Sequence, residues 1–204
     1  MPKREAPVSY LQNYLPPGTY EPVMQYLHHF NVHLTVARER KSILGDYRHR
    51  THHANHRISV NGNLNVYSFL ITLLHELAHL LTFEQHGNRV QSHGREWKMI
   101  YAQLLDQFLK NKVFPTDIEN ELLQSLKNPA ATSCAEDDLL RVLRRYDKQN
   151  GLPLVEELPV HSLFRTGDGR IFRKGKKLRK RYQCMEVATG RLYLFSPVYE
   201  VEVV

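Results

Sequence analysis

With 204 residues, 42% hydrophobic and 24% charged, the chain has the composition of an ordinary globular protein and room for one full core plus a small appendage. No stretch reaches the roughly 18 uninterrupted apolar residues of a membrane helix, and Met1-Pro2-Lys3-Arg4-Glu5-Ala6-Pro7 lacks the apolar run of a secretory signal. The net charge of +7 is local: Arg170 to Arg181 holds eight basic residues and no acid, which leaves the rest close to neutral.

In chain order, Leu15-Pro16-Pro17-Gly18 leads into a first helix with Thr19 as N-cap, Glu21 and Pro22 in its first turn and an end near Phe30. Asn31 to Ala37 alternates and is β-branched, so it predicts a strand, and Ser42 to Arg48 and Arg57 to Val60 predict two more. A turn at Asn61-Gly62-Asn63 precedes a nearly continuous helical pattern from Leu64 to about Glu84. Val66, Leu70, Leu73, Leu77 and Leu80 share one side of it, and Phe69, Leu74 and Leu81 widen the apolar surface to most of the circumference. The remaining stripe carries Ser68, Thr72, His75, His79 and Thr82, with Glu76 at its edge. A helix this apolar is buried nearly all round, so the stripe is expected to line a cleft.

Gly87 is placed for a left-handed cap. A helix from about Arg95 to Leu109 follows, then one over Pro115 to Leu126. Asn128 to Thr132 reads as a linker, and Ser133 with Glu136 as a capping box for a helix to about Tyr146. From His161 onward the pattern changes to strands and tight turns. The expected architecture is α+β, divided into a domain over 1–112, a helical connector over 113–155 and a small basic antiparallel β module over 156–204.

The chemistry concentrates in His75-Glu76-Leu77-Ala78-His79. Residues i and i+4 share a helix face, so both imidazoles reach one metal ion, and the carboxylate beside them can touch a bound water. Hydrolytic zinc sites use three protein ligands and a water. His86 lies about 10 Å along the axis from His79, too far to share an ion with it unless the helix breaks. His93 is better placed, after the Gly87 turn and just before a helix that Trp97 can anchor.

These residues, with His93-Gly94-Arg95-Glu96-Trp97, resemble the SprT family of zinc metalloproteases, which includes the Spartan proteases. Gly45 in a strand and Ile58-Ser59-Val60-Asn61 before the long helix extend the resemblance, which covers roughly residues 20 to 110. It implies a zincin-like domain, His75, His79 and His93 as Zn2+ ligands, and Glu76 as general base in hydrolysis of a protein or peptide substrate. The ion would activate the water and polarise the carbonyl. The strand from Arg57 to Val60 is the candidate for pairing with an extended substrate.

Other clusters carry weaker expectations. His49 to His56 lacks helical spacing and reads as a solvated loop near the cleft. Cys134 and Cys184 read as unreactive packing thiols of a cytoplasmic protein. The basic run, with Arg173, Lys174, Lys176, Lys177, Arg179, Lys180 and Arg181 as contacts, is either a solvated hairpin or a footprint for a phosphate backbone. The resemblance favours contact with DNA and action on DNA-associated proteins. Many SprT proteins end in a four-cysteine zinc ribbon, whereas the C-terminal region here has only Cys184. The β module is therefore expected to be metal-free and held by Phe164, Ile171, Tyr193 and Phe195. The alternatives are a non-enzymatic nucleic-acid-binding protein with a structural zinc site, and another zinc hydrolase acting on peptides or small amides.

Overall fold

The computed structural model describes residues 8–40, 42–50, 54–126, 134, 136–147 and 151–204. It is a mixed α+β structure of two compact units, Met1–Tyr146 and Asp147–Val204.

In the first unit, a 3-10 helix, Val8–Tyr14, precedes helix α1, Tyr20–His29, and strands β1, Val32–Ala37, β2, Gly45–Arg48, and β3, His56–Asn61. Four helices follow: α2, Val66–His86; α3, Arg95–Lys110; α4, Thr116–Ser125; and α5, Asp137–Arg144. The sheet has the order β1-β3-β2, with β1 parallel and β2 antiparallel to β3. This order corrects one expectation. Strand β3, which contains Arg57 to Val60, is paired on both sides, so its backbone has no edge to offer a substrate. Among the described residues, the free edge next to the cleft belongs to β2.

Helix α2 is the spine of this unit. Asn65 caps it, its Oδ1 accepting from the backbone N–H groups of Tyr67 and Ser68 at 3.1 and 2.9 Å, while its Nδ2 donates to Leu143 O at 3.0 Å and ties α5 to the same end. Phe69, Leu70, Leu73, Leu74, Leu77 and Leu80 are fully buried; each such side chain contributes about 1.5–3 kcal/mol of transfer free energy. By length and composition α2 could cross a membrane, but 72% of its apolar window is buried inside the fold, as in a core helix. Gly87 ends it at φ 61 with its N–H on Phe83 O.

Two helix starts differ from the expected capping chemistry. Thr19 precedes α1 as expected, yet its hydroxyl donates back to Pro16 O at 2.8 Å and not to the helix. Glu136 is itself the N-cap position of α5, and its carboxylate accepts from Ser125 Oγ at 2.8 Å; Ser133 lies outside the described residues. The division into domains also differs. Ile118 and Leu122 of α4 and Leu139, Val142 and Leu143 of α5 join the same core as α2, so these helices are part of the first unit and not a connector.

The second unit contains a 3-10 turn, Val155–Glu157, and strands β4, Leu163–Arg165, β5, Ile171–Leu178, β6, Arg181–Glu186, β7, Leu192–Phe195, and β8, Glu202–Val203. They form one antiparallel sheet, ordered β7-β6-β5-β4-β8. Val155, Leu158, Phe164, Phe172, Cys184 and Val201 form its core, with Tyr193 and Phe195 against it. Ile171 was expected in that core. Strand alternation puts Phe172 inward, and Ile171 therefore faces outward.

The two turns at one end of this sheet are joined by side chains. Arg170 pairs with Asp168 across the β4–β5 turn at 2.7 Å and reaches Glu186 of β6 at 3.8 Å, while Thr166 and Thr189 donate to Asp168 and Glu186. The hydrogen bonds from Thr166 and Arg170 hold the Asp168 carboxyl down at about 2.

Lys174 departs most from its expected role. It is 2% exposed, its Nζ donates to Leu158 O and to Glu156 O (3.2 Å), and it sits 4.3 Å from the Tyr182 ring centroid. It is an internal clamp and is withdrawn from nucleic-acid contact. Lys174→Ala leaves both carbonyls short of a donor and is expected to lower stability by about 1–3 kcal/mol. Lys176→Ala, on an exposed side chain, should change it by less than about 0.5 kcal/mol. Equal urea midpoints for the two variants would contradict the assignment.

Candidate metal centre

The first turns of the site are built on α2. His75 and His79 lie one helical turn apart on the face that looks into the cleft, as their spacing requires. The third imidazole arrives by a reversal of the chain. Gly87 breaks α2, a short loop follows, and His93 stands immediately before Gly94, the N-cap position of α3. One nitrogen from each of His75, His79 and His93 lies within 4.8 Å of the other two, and Nε2 of His93 is 3.3 Å from Nε2 of His75. His86 stays on the last turn of α2, outside this group.

Trp97 holds the arrangement from behind. Fully buried, it places its ring 4.7 Å from His75, 5.2 Å from His79 and 4.7 Å from His93, with Tyr101 stacked against it at 5.0 Å. One indole thus touches all three rings, which limits their freedom before anything binds.

The electrostatics suit a cation. Burial, with repulsion from the neighbouring imidazoles, pushes His75 down to about 3 and His79 down to about 4; burial and Lys98 also lower His93. All three rings are therefore neutral at pH 7 and present lone pairs. Nε2 of His75 and of His93 face each other with room for one proton between them, and Nδ1 of His75 has no hydrogen-bond partner among the described residues. Three convergent neutral imidazoles fit a metal ion.

Glu76 lines the same cleft and is 5% exposed. Burial, reinforced by Asp46 and opposed by Arg40, pushes its carboxyl up to about 8. Arg40 is itself engaged, donating to Asn61 Oδ1 at 2.8 Å and Ser59 Oγ at 2.9 Å. The cleft has a volume of about 560 Å³ and is walled by β2, α2 and the loop before His93. Of the polar stripe on α2, His75, Glu76, His79 and Thr82 line it. Ser68 and Thr72 do not: they are buried against the rest of the fold.

The histidine-rich run is not simply a solvated loop. His56 is 1% exposed within β3, its Nδ1 hydrogen-bonded to the Tyr47 hydroxyl at 2.9 Å and its Nε2 3.2 Å from Glu84 Oε1. His49 stacks on Phe83 at 4.6 Å and lines the cleft. Thr51, His52 and His53 lie outside the described residues. Tyr47 was not singled out from sequence, although alternation along β2 puts it on the same side as Gly45, toward α2. Its ring lies parallel to that of His79 at 6.4 Å.

Of the sequence-selected basic residues, Lys176, Lys177, Arg179, Lys180 and Arg181 are exposed at and around the β5–β6 hairpin end. Arg173 is exposed on the sheet's outer face, beyond the bulge between Lys174 and Lys177, and Lys174 is buried. Cys134 and Cys184 are free and buried, with burial pushing Cys134 up to about 12.

Residues 20–120 match the SprT-like family. Over that stretch the chain belongs to the SprT-like family. The stretch contains His75, Glu76, His79, His93 and Trp97; the second unit lies outside it. Protein SprT of Glaesserella parasuis serovar 5 (strain SH0165) is 58% identical over 31 residues, which is 15% of this chain and 19% of that protein. The chain thus matches about a fifth of that relative's length. No solved structure matches.

Gly45 explains how β2 can pass so close to Glu76. A Cβ there would lie 2.6 Å from Glu76 Oε1 and 2.8 Å from Thr72 Cγ2. Gly45→Ala must displace Glu76 or β2, and is expected to cost about 1–3 kcal/mol. Gly167→Ala, where a Cβ meets nothing within 4 Å, should stay within about 0.5 kcal/mol of the parent. Chemical denaturation of the two variants checks this, and a Gly45→Ala protein as stable as the parent would refute the close packing.

Proposed function

We propose that this chain is a zinc-dependent metalloendopeptidase of zincin-like architecture, with His75, His79 and His93 holding the ion and Glu76 as general base. The convergence of the three imidazoles beside a buried carboxyl in one cleft is the observation that carries this reading. Two nitrogens bound tetrahedrally at about 2.0–2.1 Å stand about 3.3–3.4 Å apart, and Nε2 of His75 and His93 are 3.3 Å apart. Bound zinc would supply an activated water and polarisation of the scissile carbonyl.

The chain's own residues supply the rest. A cation held by the three imidazoles would favour the Glu76 carboxylate over the protonated form that burial favours, and Glu76 would then take a proton from the water and deliver it to the leaving amine. Trp97 keeps the imidazoles in place, and the low-dielectric wall of α2 strengthens every charge interaction in the cleft. The free edge of β2 can hold an extended peptide backbone in register along the site. A folded protein presents such a backbone in loops and termini, so the substrate class is an accessible polypeptide segment.

Glu76→Gln is expected to keep zinc bound while lowering peptide hydrolysis by about 100-fold or more. His93→Ala should lose both metal and activity. Metal content by mass spectrometry and cleavage of a denatured protein substrate read the two effects. Unchanged function in Glu76→Gln with metal in place would favour the alternative, a structural zinc site in a nucleic-acid-binding protein.

The exposed hairpin cations support a second element of the proposal: Lys176, Lys177, Arg179, Lys180 and Arg181 contact a phosphate backbone and bring the peptidase to DNA-associated proteins in the cytoplasm. Replacing Lys176, Lys177, Arg179 and Lys180 with Glu should weaken DNA binding and flatten the dependence of log K on log salt, by about 0.9 per lost phosphate contact. Identical salt slopes in parent and variant would remove nucleic acid from the account.

A further inference from the structure

We propose that the outer face of the β4–β8 sheet is a docking surface for an acidic amphipathic helix of a partner protein. An antiparallel sheet with one face on the core ordinarily turns polar residues to solvent on the other. Here the inner face holds Phe164, Phe172 and Cys184, and the outer face is also largely apolar. The strand register places Leu163, Arg173, Met185 and Leu192 in one row across four strands, with Gln183 beside Leu194 in the next. On the other flank, the Val187 N–H donates to Ile171 O at 2.9 Å, continuing the surface. Side chains directly opposite on neighbouring strands have Cβ atoms about 4.5–5.5 Å apart, so these residues form a continuous patch. Met185 is 37% exposed, Val187 50%, Leu192 62% and Leu194 56%. Contiguous exposed apolar surface of this kind marks an interaction site, where single scattered residues would not.

Charge selects the occupant. Arg165, at the rim, is paired with Glu202 at 3.6 Å. Arg173, between Leu163 and Met185, is exposed and meets no acidic group among the described residues. A partner that covers the leucines must therefore bring a carboxylate to Arg173. Nucleic acid fits poorly, because the aromatic rings Tyr182, Tyr193 and Phe195 pack toward the inner core and leave no stacking platform outside. A helix laid across a sheet covers such a broad apolar face with one stripe while keeping its acids at the flanks. The surface lies outside residues 20–120, so no family match assigns it.

The test uses the full chain and two fluorescent synthetic helical peptides with the same leucine stripe, one with Glu on its remaining faces and one with Lys. Anisotropy at physiological salt should show binding of the Glu peptide, and binding of the Lys peptide weaker by about tenfold or more, which is about 1.4 kcal/mol. Leu192→Ser with Leu194→Ser, and separately Arg173→Glu, should each weaken Glu-peptide binding about tenfold, with urea midpoints confirming that both variants fold. Replacing Lys176, Lys177, Arg179 and Lys180 with Ser should leave binding within about twofold. Four results would overturn the proposal: no binding of either peptide, equal binding of both, loss of binding on neutralising the hairpin cations, or a dimer in sedimentation that the double Ser variant dissociates. The last would make a second copy of this chain the occupant.

Discussion

The burial of α2 on nearly every side is the constraint on which the rest of the first unit depends. A helix with that much apolar surface has room for few polar groups, because an unpaired polar atom in a low-dielectric interior costs several kcal/mol, and the His75 Nδ1 left without a partner among the described residues stands at the candidate metal site. The few polar side chains it carries are therefore confined to a narrow face. Thr82 turns its hydroxyl back to Ala78 O at 2.7 Å. His75, Glu76 and His79, with Thr82, line a cleft. The same burial keeps the imidazoles neutral and the carboxyl protonated more readily than in water, since both effects arise from the cost of charging a group away from solvent.

Around that helix, two small features decide whether a site can exist. The first is the missing side chain at Gly45. It lets an edge strand run in contact with Glu76, which closes the cleft on one side and leaves a backbone edge on its rim. The second is Trp97, whose indole touches each imidazole and fills the space that would otherwise let His93 swing. Neither contributes a ligand atom. Both restrict the geometry in advance, so less ordering remains to be done on binding.

The second unit solves a different problem, that of stabilising a small sheet without a disulfide. Its core is short, and the ends of its strands are held by charge. Arg170 bridges two turns through Asp168 and Glu186, and the Lys174 ammonium is lodged among main-chain carbonyls under Tyr182. With Lys174 buried and Arg170 tied to its two turns, the other cations of the basic run separate into an exposed hairpin end and Arg173 in an apolar face. A run that looks uniform as a string of letters is divided by the two-residue period of a strand into clamp, rim and tip.

Sequence alone determined what local geometry controls. The 3.6-residue period of α2 paired His75 with His79 and put Glu76 at the edge of the stripe, the Gly87 break made a return to His93 feasible, and the spacing to Trp97 fell on the start of the next helix. Strand positions were legible to within a few residues for the same reason. Contacts between segments distant in the chain were not. That β3 is central and β2 the edge, that α4 and α5 pack into the core of α2, that His56 is buried against Tyr47 and that Lys174 points inward while Lys176 does not, all follow from which surfaces meet. Periodicity tells which side of an element is apolar. It carries no record of what lies on the other side of that surface, and burial, hydrogen-bond partners and the fate of each charge are set there.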